Sequence, residues 1–367
     1  MDKKMKLAVD RGQLTVDVKG KEPMLEETRR LLLNQESEED QVVSLSLRPA
    51  KLSDFIGQPD LVANLAVSIR AARKREEPLE HILFSGPPGL GKTSLANIVA
   101  HEMGARITIT SGPAISRAGD LIGILTNLEK GDVFFIDEIH RLSKTVEEFL
   151  YPAMENFQID FVVDKGPCAK TIKFNLKPFT LIGATTRSGL LASPLRDRFG
   201  IFHHLDFYEV NDLKEIVLSS AKKLNVPIEE DAAWEIARRA RGTPRIANRL
   251  LRRVRDYAQA GPAAKKTSLE SISPALVVEA MLSLGVDAAG LDEADRRLMR
   301  VLKEHYKGGP VGVETLAATL NEEVDTIVDV IEPFLLKIGF LKRTARGREL
   351  TETSLTHLSN VLLKNKS

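Results

Sequence analysis

A glycine-rich segment that ends in lysine and threonine is the part of this sequence best suited to chemistry. Residues 86–93 read Gly-Pro-Pro-Gly-Leu-Gly-Lys-Thr, which matches the pattern G-x-x-x-x-G-K-[ST]. The glycines let backbone N–H groups converge on phosphate oxygens, the lysine supplies a cation, and the threonine hydroxyl is a ligand for Mg²⁺. The pattern predicts a site for ATP and Mg²⁺, formed by Gly89, Gly91, Lys92, Thr93 and Ser94.

Two adjacent carboxylates follow a short apolar run at Val133–Ile136. Beside a phosphate-binding loop, Asp137 is expected to organise the Mg²⁺ shell and Glu138 to polarise a water molecule. That arrangement favours hydrolysis of the nucleotide over transfer to a second substrate. The alternative, an ordinary turn at the end of a strand, fits an isolated pair better than one that accompanies a phosphate loop. The nearby His140 is interpreted as a structural or coupling residue rather than a metal ligand.

Composition limits the class of protein that carries these residues. The chain has 367 residues, enough for two or three domains, with 43% hydrophobic and 28% charged residues as in ordinary globular proteins. The net charge of +1 means that any nucleic-acid surface must be a local cluster of Lys and Arg. Cys168 is the only cysteine, which excludes an intramolecular disulfide. Since no apolar run is long enough to span a bilayer, the cytoplasm is the expected location.

The elements that must position the chemistry alternate between strands and helices. Short apolar runs predict strands at His81–Ser85, Arg106–Thr110, Asp132–Ile136 and Thr180–Ala184, and amphipathic stretches predict the helices between them. This order indicates an α/β domain with a parallel sheet covered on both faces. A β-hairpin is predicted as an insertion at 158–174, with Ile159, Phe161 and Val163 on one alternating face.

Beyond Asp206 the character of the chain changes twice. Three helical patterns follow, and after a connector at Gly261–Thr267 a fourth leads to Gly285; together they predict a small helical lid domain. The last block has the helix, helix-turn-helix and hairpin order of a winged helix. The predicted division is a flexible extension at 1–44, a large ATPase domain at 45–208, a lid at 209–285 and a winged-helix head at 286–367.

Three later segments make the chain resemble the AAA+ ATPases. Thr186, at the end of an apolar strand, matches the first sensor of the γ-phosphate, and Arg245 in Gly-Thr-Pro-Arg matches the second sensor. Arg198 in Leu-Arg-Asp-Arg-Phe matches the arginine finger. Such a finger acts on the nucleotide of a neighbouring subunit. The resemblance therefore implies a ring of identical subunits that share their active sites.

Within the AAA+ class the pattern is similar to the RuvB family, ring-forming motors that migrate Holliday junctions in bacterial DNA recombination and repair. The resemblance rests on segments such as HILFSGPPGLGKT, FIDEIHRL, GATTR and GTPRIANRLLRRVRD. It implies a hexamer on double-stranded DNA and four-way junctions, with RuvA docked on hairpin 158–174 and RuvC in the resolving complex. The apolar face of this hairpin is equally well explained by burial against its own domain. The further nucleotide contacts that the resemblance implies are Leu47, Arg48, Glu155, Asn156, Phe157 and Tyr208.

A basic segment near the C-terminus is the candidate DNA contact. Residues 337–348 contain five Lys and Arg side chains and no acidic residue. The resemblance places Arg343 and Arg348 on the DNA backbone, where phosphate contacts give affinity without reading sequence. The alternative is a solvated basic turn. One departure from the family pattern is Val324, which stands where an arginine is common.

Other ATPase classes fit parts of this pattern less well. A clamp loader shares the loop, sensors and finger but ends in a helical collar, and a protein unfoldase normally has an aromatic pore loop. A nucleotide-switched DNA-binding regulator is a third alternative, which the sequence separates poorly from a motor.

Overall fold

The computed structural model describes residues 9–10, 13–14, 43, 45–162, 171–260 and 271–364. Its centre is a five-stranded parallel sheet in the order β4-β5-β8-β3-β9. The strands are β3 (Ile82–Ser85), β4 (Ile107–Ser111), β5 (Val133–Asp137), β8 (Thr180–Thr185) and β9 (Ile201–His204). Two antiparallel pairs accompany it, β1 (Val9–Asp10) with β2 (Gln13–Leu14), and β6 (Gln158–Val162) with β7 (Thr171–Asn175).

Helices cover both faces of the sheet because its three central strands, β5, β8 and β3, are buried on both sides. Ile82 and Phe84 point into one core with α1 (Pro59–Arg75) and α2 (Lys92–Met103). Leu83 and Phe134 point into the opposite core with α3 (Ala118–Thr126) and α4 (Lys144–Asn156). The short helix α5 (Ser193–Arg196) closes this second face. The predicted α/β class is thus confirmed, and the carboxyl ends of the strands converge on one edge.

The fifth strand was missing from the strands predicted from the sequence. β9 lies at the edge of the sheet beside β3 and alternates partly buried and exposed positions, with Phe202 49% exposed. Two histidines end it, and neither histidine nor an exposed edge residue gives a strong strand signal. Its place in the sheet is fixed by pairing with β3, which lies more than 100 residues earlier in the chain.

Within the described part of the lid, four helices share the first core of the large domain. They are α6 (Val210–Lys223), α7 (Glu230–Arg238), α8 (Pro244–Ala260) and α9 (Pro274–Ser283). Val217, Ile236 and Leu251 are completely buried among them. This common core places the first turn of α8 over the loop that follows β3.

The C-terminal region has its own core and the predicted winged-helix order. It contains α10 (Glu293–Tyr306), α11 (Val313–Leu320), α12 (Val324–Thr326), a π-helical segment at Ile327–Ile331 and α13 (Glu332–Lys337). The wing is the antiparallel pair β10 (Leu341–Thr344) and β11 (Gly347–Leu350), followed by α14 (Glu352–Lys364). Val324 packs partly buried against this core and so serves as an apolar contact.

A buried ion pair attaches this C-terminal domain to the lid. Arg241 lies 2.8 Å from Asp292 and 3.1 Å from the fully buried Asp295. Its guanidinium also stacks over the Phe334 ring at 4.8 Å.

Within the described ranges, no helix is long and apolar enough to cross a membrane.

Candidate nucleotide site and DNA-contacting wing

The predicted phosphate-binding loop joins β3 to the first residue of α2. Gly86 has a φ of 133°, and any side chain there would collide with the carbonyl oxygen of Leu205. The Lys92 Nζ atom donates hydrogen bonds to the carbonyl oxygens of Gly86 at 2.8 Å and Pro87 at 2.9 Å. Burial lowers the pKa of Lys92 to about 8, against the opposing effect of Asp137 and Glu138. The lysine ammonium is therefore held by carbonyl groups of the loop itself.

Asp137 ends β5 directly opposite this loop. The Thr93 hydroxyl donates to an Asp137 carboxylate oxygen at 3.4 Å, so the two predicted Mg²⁺ ligands face each other. Hydroxyl and carboxylate oxygens are donors that Mg²⁺ accepts. No cluster of three or more His, Cys, Asp or Glu side chains that could hold a metal occurs among the residues described. A bound Mg²⁺ would thus need nucleotide phosphates and water to complete its shell.

Glu138 occupies a strained backbone conformation with its side chain held by two neighbours. Its φ of 48° lies in the left-handed region, which is uncommon outside glycine and concentrates at functional sites. The Thr186 hydroxyl donates to Glu138 at 3.2 Å, and His140 Nδ1 lies 3.2 Å from the same carboxylate. His140 also contacts the Thr185 hydroxyl at 2.8 Å, and burial lowers the pKa of its ring. These contacts favour the coupling interpretation of His140.

A cavity of about 260 Å³ lies between the loop, the lid and the segment before α1. The predicted residues that line it are Leu47, Arg48, Gly89, Gly91, Lys92, Thr93, Ser94, Asp137, Glu138, Tyr208 and Arg245. Tyr208 donates from its hydroxyl to the Leu90 carbonyl at 3.1 Å. The backbone N–H of Arg245 donates to the Gly89 carbonyl at 3.4 Å, which seats the lid on the loop.

Several residues of this cavity were not predicted from the sequence. They are chiefly Asp54, Phe55, Ile56, Ser219, Lys223 and Asn248. Lys223 Nζ donates to the carbonyl oxygens of Leu47 at 3.0 Å and Arg48 at 3.2 Å, and so fixes the segment at the mouth of the cavity. No local sequence pattern indicates these residues, because the fold brings them together from distant parts of the chain.

The candidate finger Arg198 lies outside this cavity. Its guanidinium is 3.0 Å from Glu155, stacks over the Tyr151 ring at 4.5 Å and donates to the Pro194 carbonyl at 2.5 Å. Glu155, Asn156 and Phe157 do not line the cavity of their own chain either. Phe157 instead packs edge-on against Phe179 at 5.7 Å. Arg198, Glu155, Asn156 and Phe157 therefore lie apart from the cavity that the phosphate-binding loop lines.

The two candidate DNA-contacting arginines face each other across the wing. Arg343 and Arg348 are direct partners in the β10–β11 register. Both pair with the completely buried Glu332, Arg343 at 2.6 Å and Arg348 at 2.5 Å. The Arg343 side chain remains 49% exposed and that of Arg348 18%. One buried carboxylate thus orients two guanidinium groups and leaves the pair with a net positive charge.

The rest of the basic segment is used in different ways. Lys342 pairs with Glu349 at 3.3 Å, and Lys337 lies 4.7 Å over the ring of Phe207 in the segment before the lid. Arg346 is exposed at the tip of the wing. The positive surface of the wing therefore rests on Arg343, Arg346 and, in part, Arg348.

Replacing Glu332 with glutamine is expected to destabilise the C-terminal domain by about 3 kcal/mol, because it leaves two neighbouring arginines without their buried counter-charge. Urea unfolding, followed by far-UV circular dichroism, measures the change in the free energy of unfolding. Arg343→Gln is the matched control, since this half-exposed side chain can be lost with a smaller effect, under about 1 kcal/mol. Equal stabilities of Glu332→Gln and the wild type would contradict a structural role for the pair.

The predicted hairpin is present, and its apolar side chains differ in exposure. Ile159 is completely buried in the second core of the large domain, whereas its strand partner Phe174 is 45% exposed. The side chain of Phe161 and all of Val163 lie outside what the structure describes. Burial against its own domain therefore accounts for Ile159 and leaves Phe174 as an exposed apolar side chain.

Comparison with known proteins matches almost the whole described chain. Residues 47–205 match the model of the Holliday junction DNA helicase RuvB P-loop domain. Residues 208–287 match the RuvB AAA lid domain, and 288–359 match the RuvB C-terminal winged helix domain.

Individual relatives give the same result. The Holliday junction branch migration complex subunit RuvB of Chloroflexus aggregans is 59% identical over 329 residues, which cover 90% of this chain and 92% of that protein. Its counterpart in Chloroflexus aurantiacus is 58% identical over the same coverage. The Thermotoga maritima RuvB Holliday junction branch migration motor is 50% identical and superposes with a TM-score of 0.78, covering 86% of this chain and 98% of that one. The chain belongs to the RuvB family of AAA+ P-loop ATPases.

Proposed function

We propose that this chain is an ATP-driven DNA motor that forms a hexameric ring on duplex DNA and drives branch migration of Holliday junctions. The observation that carries the proposal is the separation of Arg198 from its own cavity, whereas Lys92, Asp137 and Glu138 line that cavity. A second copy is then needed to bring a finger to each nucleotide. A ring in which each subunit completes the site of its neighbour satisfies this need for every copy.

Within each site, ATP is the substrate and the chain divides the work of hydrolysis. Lys92 and the loop N–H groups hold the phosphates, and Glu138 orients and deprotonates the attacking water. Thr93 and Asp137 would hold Mg²⁺, which would neutralise phosphate charge. Thr186 fixes the Glu138 carboxylate, and Arg245 contacts the nucleotide from the lid. Leu47, Arg48 and Tyr208 surround the base and ribose at the mouth of the cavity.

Across the subunit boundary, Arg198 stabilises the transition state on a neighbouring nucleotide. Glu155 and Tyr151 hold its guanidinium at the surface, and Asn156 and Phe157 complete the same face. Pre-positioning lowers the cost of ordering a long side chain when the interface closes.

The DNA and protein partners belong to other surfaces. Arg343 and Arg348 on the wing contact the phosphate backbone without sequence preference, as movement along arbitrary DNA requires. Hairpin 158–174, with its exposed Phe174, docks the junction-binding protein RuvA, and RuvC joins in the resolving complex. The working units are the large domain at 45–208, the lid at 209–285 and the head at 286–367. The extension at 1–44 has no assigned role, and the complex works in the cytoplasm.

The test is ATP-dependent dissociation of a synthetic four-way junction, with and without RuvA. Linear duplex of the same length and sequence is the control substrate. Dissociation that requires ATP and increases with RuvA supports the motor. ATPase activity without junction movement under any condition would favour a clamp loader or a nucleotide-switched regulator.

The pKa of Lys92 gives the site a pH dependence. Burial disfavours the charge of this lysine and lowers its pKa to about 8, whereas phosphate binding requires the charged form. Between pH 8 and 9.5 the protonated fraction falls, so ATP affinity is expected to drop by up to about tenfold per pH unit. Isothermal titration calorimetry at pH 7, 8 and 9 measures the ATP affinity. Proton uptake on binding should appear as a binding enthalpy that changes with the ionisation enthalpy of the buffer.

Lys92→Arg is the matched control for this dependence. Arginine keeps its charge throughout the range, so any remaining slope in the variant reports groups other than Lys92. Identical slopes in the two proteins would rule out the assigned titration.

A further inference from the structure

One ion-pair cluster joins the sensor end of β8 to the C-terminal domain. Arg187 follows Thr186 directly, and its guanidinium donates to both carboxylate oxygens of Asp329, from Nε at 2.8 Å and from Nη2 at 2.7 Å. The same Nη2 reaches Asp325 at 2.8 Å. Arg187 and Asp329 are partly buried, with side chains 24% and 28% exposed, and Asp325 is 62% exposed. The bidentate Arg187–Asp329 pair is the stronger part of the cluster.

On its inner side the cluster connects to the hydrolytic carboxylate. The backbone N–H of Arg187 donates to the Thr185 hydroxyl at 3.0 Å, and that hydroxyl contacts His140 at 2.8 Å. His140 and Thr186 both reach Glu138. Any shift of Glu138 or Thr186 when the γ-phosphate arrives or leaves therefore acts on the backbone that carries Arg187.

On its outer side the cluster connects to the wing. Asp329 lies in the π-helical segment Ile327–Ile331, a geometry that is rare and frequently found at functional sites. Three residues later the same helix presents Glu332, the buried carboxylate that holds Arg343 and Arg348. Asp329 also lines a small cavity that contains Arg245 and the loop residue Pro88. One continuous helical stretch thus contacts Arg187, the neighbour of the first sensor, through Asp329 and the candidate DNA-binding arginines through Glu332.

The C-terminal domain is attached to both halves of the ATPase module. Arg241 holds it to the lid and Arg187 holds it to the large domain. A change in the angle between lid and large domain cannot preserve both attachments without moving the C-terminal domain. The π-helical segment lies between the two, since Arg241 also donates to the Val330 carbonyl at 3.3 Å.

We propose that Arg187 is a positioning residue that couples the nucleotide state to DNA engagement, by holding Asp329 and, through the helix that follows, Glu332 with its two wing arginines. The inference rests on the proposed function, because it concerns the coupling of ATP turnover to DNA. It assigns no part of the bond-breaking chemistry to Arg187. Breaking the Arg187–Asp329 pair should therefore weaken the response of ATP turnover to DNA while ATP hydrolysis itself is retained.

The experiment compares ATPase rates with and without duplex DNA in full-length protein. Asp329→Asn removes the charge of the pair with little change of shape, and we expect its rate without DNA to stay within about twofold of the wild type. Its stimulation by DNA should fall by about fivefold or more, the usual range of coupling between two sites. The ratio of duplex Kd values with a non-hydrolysable ATP analogue and with ADP should move toward one. A purely structural role for Asp329 would weaken both Kd values equally and leave this ratio unchanged.

Two further variants keep the outcome decisive. Glu323→Gln removes a nearby exposed carboxylate that does not contact Arg187 and should behave like the wild type. The reciprocal exchange Arg187→Asp with Asp329→Arg should recover part of the DNA stimulation that each single change removes. DNA stimulation in Asp329→Asn equal to that of the wild type, or no recovery in the exchange, overturns the inference. A wild-type protein that DNA does not stimulate would instead overturn the proposed function, so the two failures are distinct.

Discussion

Replacing Glu138 with glutamine is expected to lower the ATPase kcat by about 10²–10⁴-fold while ATP binding is kept. Glutamine preserves the shape of the side chain and the contact from Thr186, but it cannot accept a proton from the attacking water. The loop, Lys92 and Thr93 are unchanged, so the nucleotide affinity should stay within a few-fold. Steady-state phosphate release gives the rate, and calorimetry gives the affinity.

Glu148→Gln is the control for this change. Glu148 is an exposed carboxylate on α4, away from the cavity, and its loss should leave the rate unaltered. Turnover close to that of the wild type in Glu138→Gln would show that another group activates the water. In the junction assay Glu138→Gln should bind the DNA junction but should not dissociate it.

Replacing Arg198 with alanine is expected to lower the ATPase rate by about 10³-fold or more, the usual contribution of an arginine finger. ATP binding should persist, because Arg198 does not line the cavity of its own chain. The neighbouring Arg196, whose side chain is 48% exposed, supplies the matched control. Arg196→Ala should retain the wild-type rate.

Mixing two inactive proteins separates action within a chain from action between chains. In rings assembled from Arg198→Ala and Lys92→Ala subunits, roughly a quarter of the interfaces combine an intact loop with an intact finger. We expect measurable recovery of ATPase activity in the mixture and none in either protein alone. Mixed rings that stay inactive, shown to be mixed by differently tagged subunits, would refute the shared site.

The nucleotide-binding half of the site could be predicted from the sequence because its residues are local. Gly89, Gly91 and Lys92 act through the backbone geometry of one turn, and that geometry is set by the order of the residues themselves. Asp137 and Glu138 follow a strand that its apolar run already indicates. Alternating strands and helices likewise predicted a parallel sheet, since such a sheet must be covered on both faces.

The contacts that hold and connect the site depended on the tertiary structure. Lys223 reaches the carbonyls of Leu47 and Arg48 across more than 170 residues, and β9 lies in the sheet through its pairing with the distant β3. Periodicity and motif spacing report the neighbours of a residue along the chain and say nothing about distant partners. A charged side chain therefore looks the same in sequence whether it is solvated or paired.

The clearest case is the C-terminal basic segment. From the sequence, Arg343 and Arg348 belong to a cluster of positive charge, and Glu332 is one more acidic residue on a helix. Folding buries that carboxylate completely and places both arginines on it, while Arg187 joins the same helix from the large domain. ATP hydrolysis and the class of fold could be predicted from the chain alone, because both follow from the local order of residues. Which charges pair across domains depends on the folded structure, because burial and distance in space select those pairs.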